Sequence, residues 1–253
     1  MSISSASHKK TNDKVFELVS SFISKKSKIL DLGAGRGHLS RRIHSFLIKN
    51  KFNSRNLIAT DFEKKIFQAN EVTFKQADFN KNLPFPSASF DIVYSVEVIE
   101  HLRSPYDFIN ECYRILKPNG SLIISTPNIL SLNSRLNFFI AGFFELYMPP
   151  SIKPENAGRL CGHIMPLHLA YYDYGLRKSG FAPMRLFCDK VQSRSKLLYY
   201  LLFPFLKFSY WRRMKALKNY DEDLYNEAKH YLHNMNSYII LTSRSLLFVA
   251  KKF

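Results

Sequence analysis

Residues 29–40 read ILDLGAGRGHLS, a short apolar run that breaks into three glycines at alternate positions and resumes as an amphipathic segment. Glycine permits a sharp backbone turn and lets a ligand come close to the main chain. The helix expected after the turn presents unpaired N–H groups in its first turn. Strand, glycine turn and helix are the parts of an open α/β sheet, in which ligands bind beyond the carboxyl ends of the strands. Two nucleotide motifs fail on residue identity. A dinucleotide fingerprint needs GxGxxG, yet its third glycine falls on His38. A phosphate loop needs GKS or GKT, and neither occurs in the chain.

The same alternation continues through the first half. Apolar runs at 28–33, 56–61, 72–78, 89–95 and 121–127 read as strands, and runs at 15–23, 39–48, 63–70 and 106–116 read as helices. KPNG at 117–120 reads as a turn. Strands separated by helices predict a parallel sheet in an α/β domain. After Pro127 a long aromatic stretch follows, then a helix over 168–180, a sixth strand over 181–189, a mostly helical stretch and a final strand over 245–253. Residues 1–12 read as a short disordered lead. Residues 13–253 read as a single domain with cap insertions at about 128–167 and 190–243.

The 253 residues are 46% hydrophobic, enough for a real core. Three widely spaced cysteines argue against a disulfide framework or zinc knuckle and fit a reducing compartment. The segment MSISSASHKKTND has no apolar stretch, so it is not expected to act as a secretory signal, and no window reaches the roughly 20 apolar residues that a spanning helix needs. A cytoplasmic protein is expected. Lys and Arg exceed Asp and Glu by 37 to 20, a net charge of +17. That excess suits an anionic partner such as nucleic acid, phospholipid or a phosphorylated substrate, or simply a solvated surface. Residues 197–211 hold 12 apolar or aromatic residues in 15 and are bordered by Lys196, Arg212, Arg213 and Lys215. With the aromatic run at 136–148, they read as the wall of an apolar acceptor tunnel, as the core of a helical cap, or as a peripheral surface resting on the inner face of an anionic membrane.

The glycine pattern that remains is DxGxGxG, with Asp31, Gly33, Gly35 and Gly37 as candidate cofactor residues. Asp61 ends the second strand, where a carboxylate can accept both hydroxyls of a ribose, and Phe62 follows it. Asp78 and Phe79 end the third strand, a pair suited to an adenine amino group and ring face. On these residues, from about 12 to 253, the chain resembles a class I S-adenosyl-L-methionine (SAM) dependent methyltransferase. The resemblance implies a Rossmann-like seven-stranded sheet ordered 3-2-1-4-5-7-6 with the last strand antiparallel. It implies SAM contacts at Gly33, Gly35, Asp61, Asp78, Phe79 and Val96. The chain departs from that pattern in the roughly 55 residues between its sixth and seventh strands, which read as a helical cap.

SVEVIEHLRSP at 95–105 puts Glu97, Glu100 and His101 just after the fourth strand. If the chain turns helical near Val96, positions i, i+3 and i+4 share one face. Two carboxylates and an imidazole are ligands that Mg²⁺, Mn²⁺ or Zn²⁺ accept, with hard oxygens favouring the first two. ExxEH here resembles the small-RNA 2′-O-methyltransferases and the ubiquinone-biosynthesis O-methyltransferases. In both groups the resemblance implies a divalent metal completed by a later histidine. His163 has the expected place, 17 residues before Gly180, and His168 is the reserve. The expected activity is O-methylation of a lipid-like, quinone-precursor or lipid-linked glycan acceptor, either metal-assisted or with His101 and Glu97 as the catalytic pair and His101 as general base. An RNA 2′-O-methyltransferase and a non-catalytic SAM-binding protein of the same fold are the alternatives; in a third reading of the motif Glu97 and Glu100 merely solvate a helix start.

Overall fold

The computed structural model describes residues 3–156 and 159–253. Seven apolar runs become strands: β1 (Ile29–Leu32), β2 (Leu57–Asp61), β3 (Thr73–Gln76), β4 (Phe90–Val96), β5 (Leu116–Pro127), β6 (Arg185–Phe187) and β7 (Ser245–Lys251). They form one sheet in the order β3-β2-β1-β4-β5-β7-β6. Pairings from β3 to β5 are parallel, and β7 runs antiparallel to β5 and β6. This is the order that the resemblance implies. The winding reverses between β1 and β4, so their carboxyl ends open a crevice there.

Side chains alternate across each strand, so both faces of the sheet are apolar. Leu30, Leu32, Val93, Leu122, Ile124 and Phe248 face one way, against Phe108, Ile109 and Cys112 of α3 (Pro105–Ile115) and Tyr172 and Leu176 of α5 (Leu169–Lys178). Ile29, Ile92, Tyr94, Ile123 and Leu247 face the other way. They meet Val15, Leu18 and Val19 of α1 (Lys9–Phe22) and Leu39, Ile43 and Leu47 of α2 (His38–Lys49). The spacings of three and four within these helices lay each set along one face.

Four expectations shift. The described part of the lead, from Ile3, is not loose: α1 starts at Lys9, capped by the His8 side chain, and Ile3 is buried in the core beside it, while residues 1 and 2 lie outside the described residues. The Asn12 amide holds the preceding turn through Ser5, Ser7 and His8. No α-helix forms over 63–70, only a single 3₁₀ turn at Lys64–Ile66. There the Phe67 ring packs on Phe74 at 4.6 Å and the Gln68 N–H donates to Arg36 O, which draws the segment out beneath the glycine turn. KPNG does not separate α3 from the sheet, because β5 begins at Leu116, paired with Phe90, and Asn119 N–H donates to Lys252 O. The sixth strand shortens to Arg185–Phe187. Pro183 has no N–H to extend the ladder, and Phe181 makes only an isolated bridge to Lys252.

The cap is helical. It comprises α4 (Leu132–Ala141) after β5, and α6 (Ser193–Tyr220), α7 (Glu222–Leu232) and α8 (Tyr238–Thr242) between β6 and β7. Buried Asp173 of α5 ties α7 to the sheet layer by accepting from Arg177 and pairing with His230, each at 2.8 Å. Among the described residues, no helix is long and apolar enough to cross a membrane.

Candidate active site

The glycine turn sits where β1 meets α2, held against the end of β2. Gly33 and Ala34 N–H both donate to Thr60 O, and Gly35 N–H donates to Asp61 Oδ2 at 2.7 Å. The glycines differ in role. Gly33 has φ +90°, and a Cβ on it would lie 2.1 Å from Val98 Cγ2, so this glycine lets the turn close on the β4 side. Gly35 has φ +53° and nothing within 4 Å of where a Cβ would stand. That open space lies beside Asp61, whose carboxylate keeps lone pairs for further donors. Phe62, next in the chain, is 66% exposed although it is a large apolar ring. A Cβ on Gly37 would strike Phe67 and Ala69, so its role is packing beneath α2. The cradle at Gly35, with a carboxylate and an unburied ring next to it, fits an adenosyl group.

Two of the expected cofactor residues turn inward. Asp31 is 3% exposed, and its Oδ2 accepts from Ser40 Oγ at 2.5 Å and Tyr94 Oη at 2.9 Å. It braces the base of the turn instead of facing a ligand. Burial raises its carboxyl to about 7, against the two hydroxyl bonds that favour the charged form. The folded chain therefore keeps this proton up to about pH 7, whereas the unfolded chain releases it near 3.8. The folded state binds more protons across that interval, so stability from this site falls as pH rises through it. Asp31→Asn should flatten that decline, measured as urea midpoints at about pH 5 and about pH 8; an unchanged slope would assign the proton elsewhere.

Phe79 is also in the core, edge-on to Phe108 with ring centroids 6.1 Å apart, and presents no face to an adenine. Asp78 stands past the end of β3, where its Oδ1 accepts Asn80 N–H at 3.0 Å and Oδ2 lies 3.5 Å from Lys81 Nζ. Phe62 thus replaces Phe79 as the available ring. Val96 ends β4, half-buried, and packs against the core on the α1 and α2 side.

The ExxEH segment is not one turn of α-helix. Glu97 adopts φ +52°, outside helical geometry, with its N–H donating to Ser125 O, and only Ile99–His101 form a 3₁₀ turn. Glu97 consequently parts from Glu100 and His101. Glu97 pairs with Arg244 at 2.7 Å. Glu100 is fully buried, its Oε2 accepting from Thr126 Oγ1 at 3.2 Å, while its Oε1 has no hydrogen-bond partner among the described residues. Burial raises the Glu100 carboxyl to about 8.

His163 reaches the same spot because the N–H groups of Ile164 and Met165 both donate to Glu100 O. Its Nε2 lies 4.0 Å from Glu100 Oε1, and its ring centroid is 4.5 Å from that of His101. Ligand atoms of Glu100, His101 and His163 all lie within 4.8 Å of one another. His101 Nδ1 faces Gly162 O at 3.0 Å and His163 Nδ1 faces Leu146 O at 2.7 Å. A carbonyl only accepts, so each Nδ1 carries the proton and Nε2 is the basic nitrogen. Burial first, then the neighbouring His101, lowers His163 to about 4, which keeps it neutral.

Glu97 is therefore outside the cluster, and the donor set becomes two imidazoles and one carboxylate. That set suits Zn²⁺ or Mn²⁺ better than Mg²⁺, which prefers oxygen throughout. The orphaned Oε1 and the oriented imidazoles fit such an ion. His168 caps α5 through Ala170 N–H and is not in the cluster. A cavity of about 350 Å³ opens beside these groups, lined among others by His101, His163, Leu146, Leu160, Arg159 and Arg244. The two arginines were not anticipated. Arg244 lies 147 residues from its partner Glu97, and no local pattern marks it. None of the described residues of 197–211 lines this cavity, so that run is not the wall of a tunnel here.

Residues 30–124 match the family model described as "Methyltransferase domain". These residues are thus similar to a methyltransferase domain, and the sheet they belong to has the strand order of the class I SAM-dependent type. It is 29% identical over 109 residues to the "Probable S-adenosylmethionine-dependent methyltransferase" of Mycolicibacterium smegmatis, covering 42% of this chain and 40% of that protein. It is 30% identical over 137 residues to the ubiquinone biosynthesis O-methyltransferase of Caulobacter vibrioides, covering 51% of this chain and 54% of that protein. The chain therefore spans about half or less of the length of these relatives. The crystal structure of a SAM-dependent methyltransferase from Archaeoglobus fulgidus has the same fold, with a TM-score of 0.57 at 17% identity, covering 95% of this chain and 92% of that one.

Proposed function

We propose that this chain moves the methyl group of SAM to an oxygen of a small lipid-like acceptor, with Glu100, His101 and His163 holding a divalent cation at the acceptor end. The observation that supports it most is the buried, unpartnered Glu100 Oε1 facing His163 Nε2, with both imidazoles turned by carbonyls. A buried polar atom without a partner is costly unless something binds it.

SAM supplies the electrophilic methyl group. In this reading Asp61 holds the ribose, the main chain at Gly35 lets the ligand lie close, and Phe62 covers the ring. A divalent cation supplies Lewis acidity that lowers the pKa of a hydroxyl near it. Glu100, His101 and His163 would hold that cation beside the acceptor oxygen; in its absence the basic Nε2 of His101 can instead take the acceptor's proton. Leu146 and Leu160 give the cavity an apolar wall, Arg159 adds a cation, and the Glu97–Arg244 pair lines it as a charge-balanced polar edge. Together they suit an apolar acceptor with an acidic group, such as a quinone precursor or a lipid-linked glycan.

The test is SAM binding by calorimetry, followed by turnover of a polyprenylated catechol with chelator and with Mn²⁺ or Zn²⁺ restored. SAM should bind without metal, and turnover should vanish in chelator and return with the ion. Full turnover in chelator would reject the cation and leave His101 as the base. Absence of SAM binding would reject methyl transfer altogether.

A further inference from the structure

We infer that α6, with the end of α4, is a docking surface for an anionic lipid bilayer. Spacings of three and four place Leu197, Leu201, Phe205, Phe208 and Trp211 on one stripe of α6. All five are exposed, Phe205 to 75%. The opposite side of the helix is the one that meets the protein, where the Tyr199 ring packs on Tyr238 and Tyr210 on His233. The neighbouring helix α4, joined to α6 by Asn133 N–H donating to Ser195 Oγ, adds exposed Phe139 and Ile140. Large apolar side chains grouped in this way mark a surface that is covered in use.

Charge identifies what covers it. The 28 residues of α6 contain Arg194, Lys196, Lys207, Arg212, Arg213, Lys215 and Lys218 and no acidic residue. Lys215 lies over the Trp211 ring of the stripe, so a cation and an aromatic share this surface. A helix with apolar and aromatic side chains among lysines and arginines seats itself at a headgroup boundary, with its cations on lipid phosphates. A second copy would oppose these cations with an identical set, which is repulsive in a self-complementary contact. Nucleic acid would satisfy the cations and stack on the aromatics but leave Leu197 and Leu201 without an apolar partner.

The surface is tied to the site. Gln192, the residue before α6, donates to Glu145, and the next residue, Leu146, supplies the carbonyl that orients His163. Docking is nevertheless independent of the methyl-transfer reading, because vesicle binding requires neither cofactor nor acceptor.

The test is co-sedimentation of the full chain with phosphatidylcholine–phosphatidylglycerol vesicles and with phosphatidylcholine alone. Binding should favour the anionic vesicles and weaken with added salt. Arg212→Gln and Arg213→Gln should each cost about fivefold in affinity. Phe205→Ser and Trp211→Ser should each cost about tenfold or more, with unchanged melting temperatures, since both side chains face solvent in the free protein. Equal binding to both vesicles, or none, overturns the inference. So does a concentration-dependent dimer that Phe205→Ser abolishes, which would assign the face to a second copy. Tighter binding to an RNA oligonucleotide than to vesicles would assign it to nucleic acid and equally overturn it.

Discussion

Gly35→Ala is expected to cut SAM affinity by roughly 10- to 100-fold while shifting the melting temperature by only about 2–4 °C. Its φ of +53° lies in the left-handed region that alanine reaches at a cost of about 1 kcal/mol, and its Cβ would meet nothing within 4 Å. In the free protein the methyl group is therefore harmless. It matters only if a ligand occupies that space. Gly33→Ala makes the contrast. There a Cβ would stand 2.1 Å from Val98 Cγ2 at φ +90°, so the turn must move even without ligand, costing roughly 2–5 kcal/mol of stability. Calorimetry and thermal melts of the two variants separate ligand contact from packing. SAM affinity unchanged in Gly35→Ala would mean that the cofactor does not lie against this turn.

Glu100→Gln is expected to lower turnover about 100-fold, the equivalent of roughly 2–3 kcal/mol of transition-state stabilisation from a bound cation. SAM binding should stay within about twofold of the parent, because Glu100 faces Thr126 and His163 and not the glycine turn. Without metal the variant should melt like the parent, since an amide has the shape of the carboxyl and replaces it without leaving a buried charge. With Zn²⁺ or Mn²⁺ added, the parent should gain stability and the variant should not. His163→Ala should behave similarly toward metal. A parent protein whose melting temperature ignores both ions would dismiss the cation whatever the variants do.

Much of the fold was legible because its signals are local. The strand that breaks at Gly33 and the alternation of period-two and period-3.6 runs are properties of short segments, whereas the sheet order and the reversed final strand were expected only through the resemblance, which the observed order follows. Boundaries moved where a single neighbour intervened: Pro183 shortened β6, and Phe67 on Phe74 replaced the helix expected over 63–70. The candidate site was legible only as a set of residue types near the right strand ends. Gly33, Gly35 and Asp61 meet where β1 and β2 end, and Glu100, His101 and His163 meet beyond β4, but Asp31 and Phe79 point into the core and Glu97 is held by Arg244.

By itself the sequence determined which segments become strands and helices and where the glycine turn falls. Those choices depend on steric and apolar preferences within a few residues. Only the tertiary structure decided which carboxylate is buried without a partner, which is paired, and which ring is left in solvent. Those outcomes depend on groups far apart in the chain, as with Arg244 and Glu97 or Leu146 and His163, and on burial that shifts a carboxyl such as Asp31 or Glu100 away from its ordinary proton affinity. The same holds for α6: composition showed an aromatic, basic segment, but only packing through Tyr199 and Tyr210 turned its Leu197–Trp211 stripe outward.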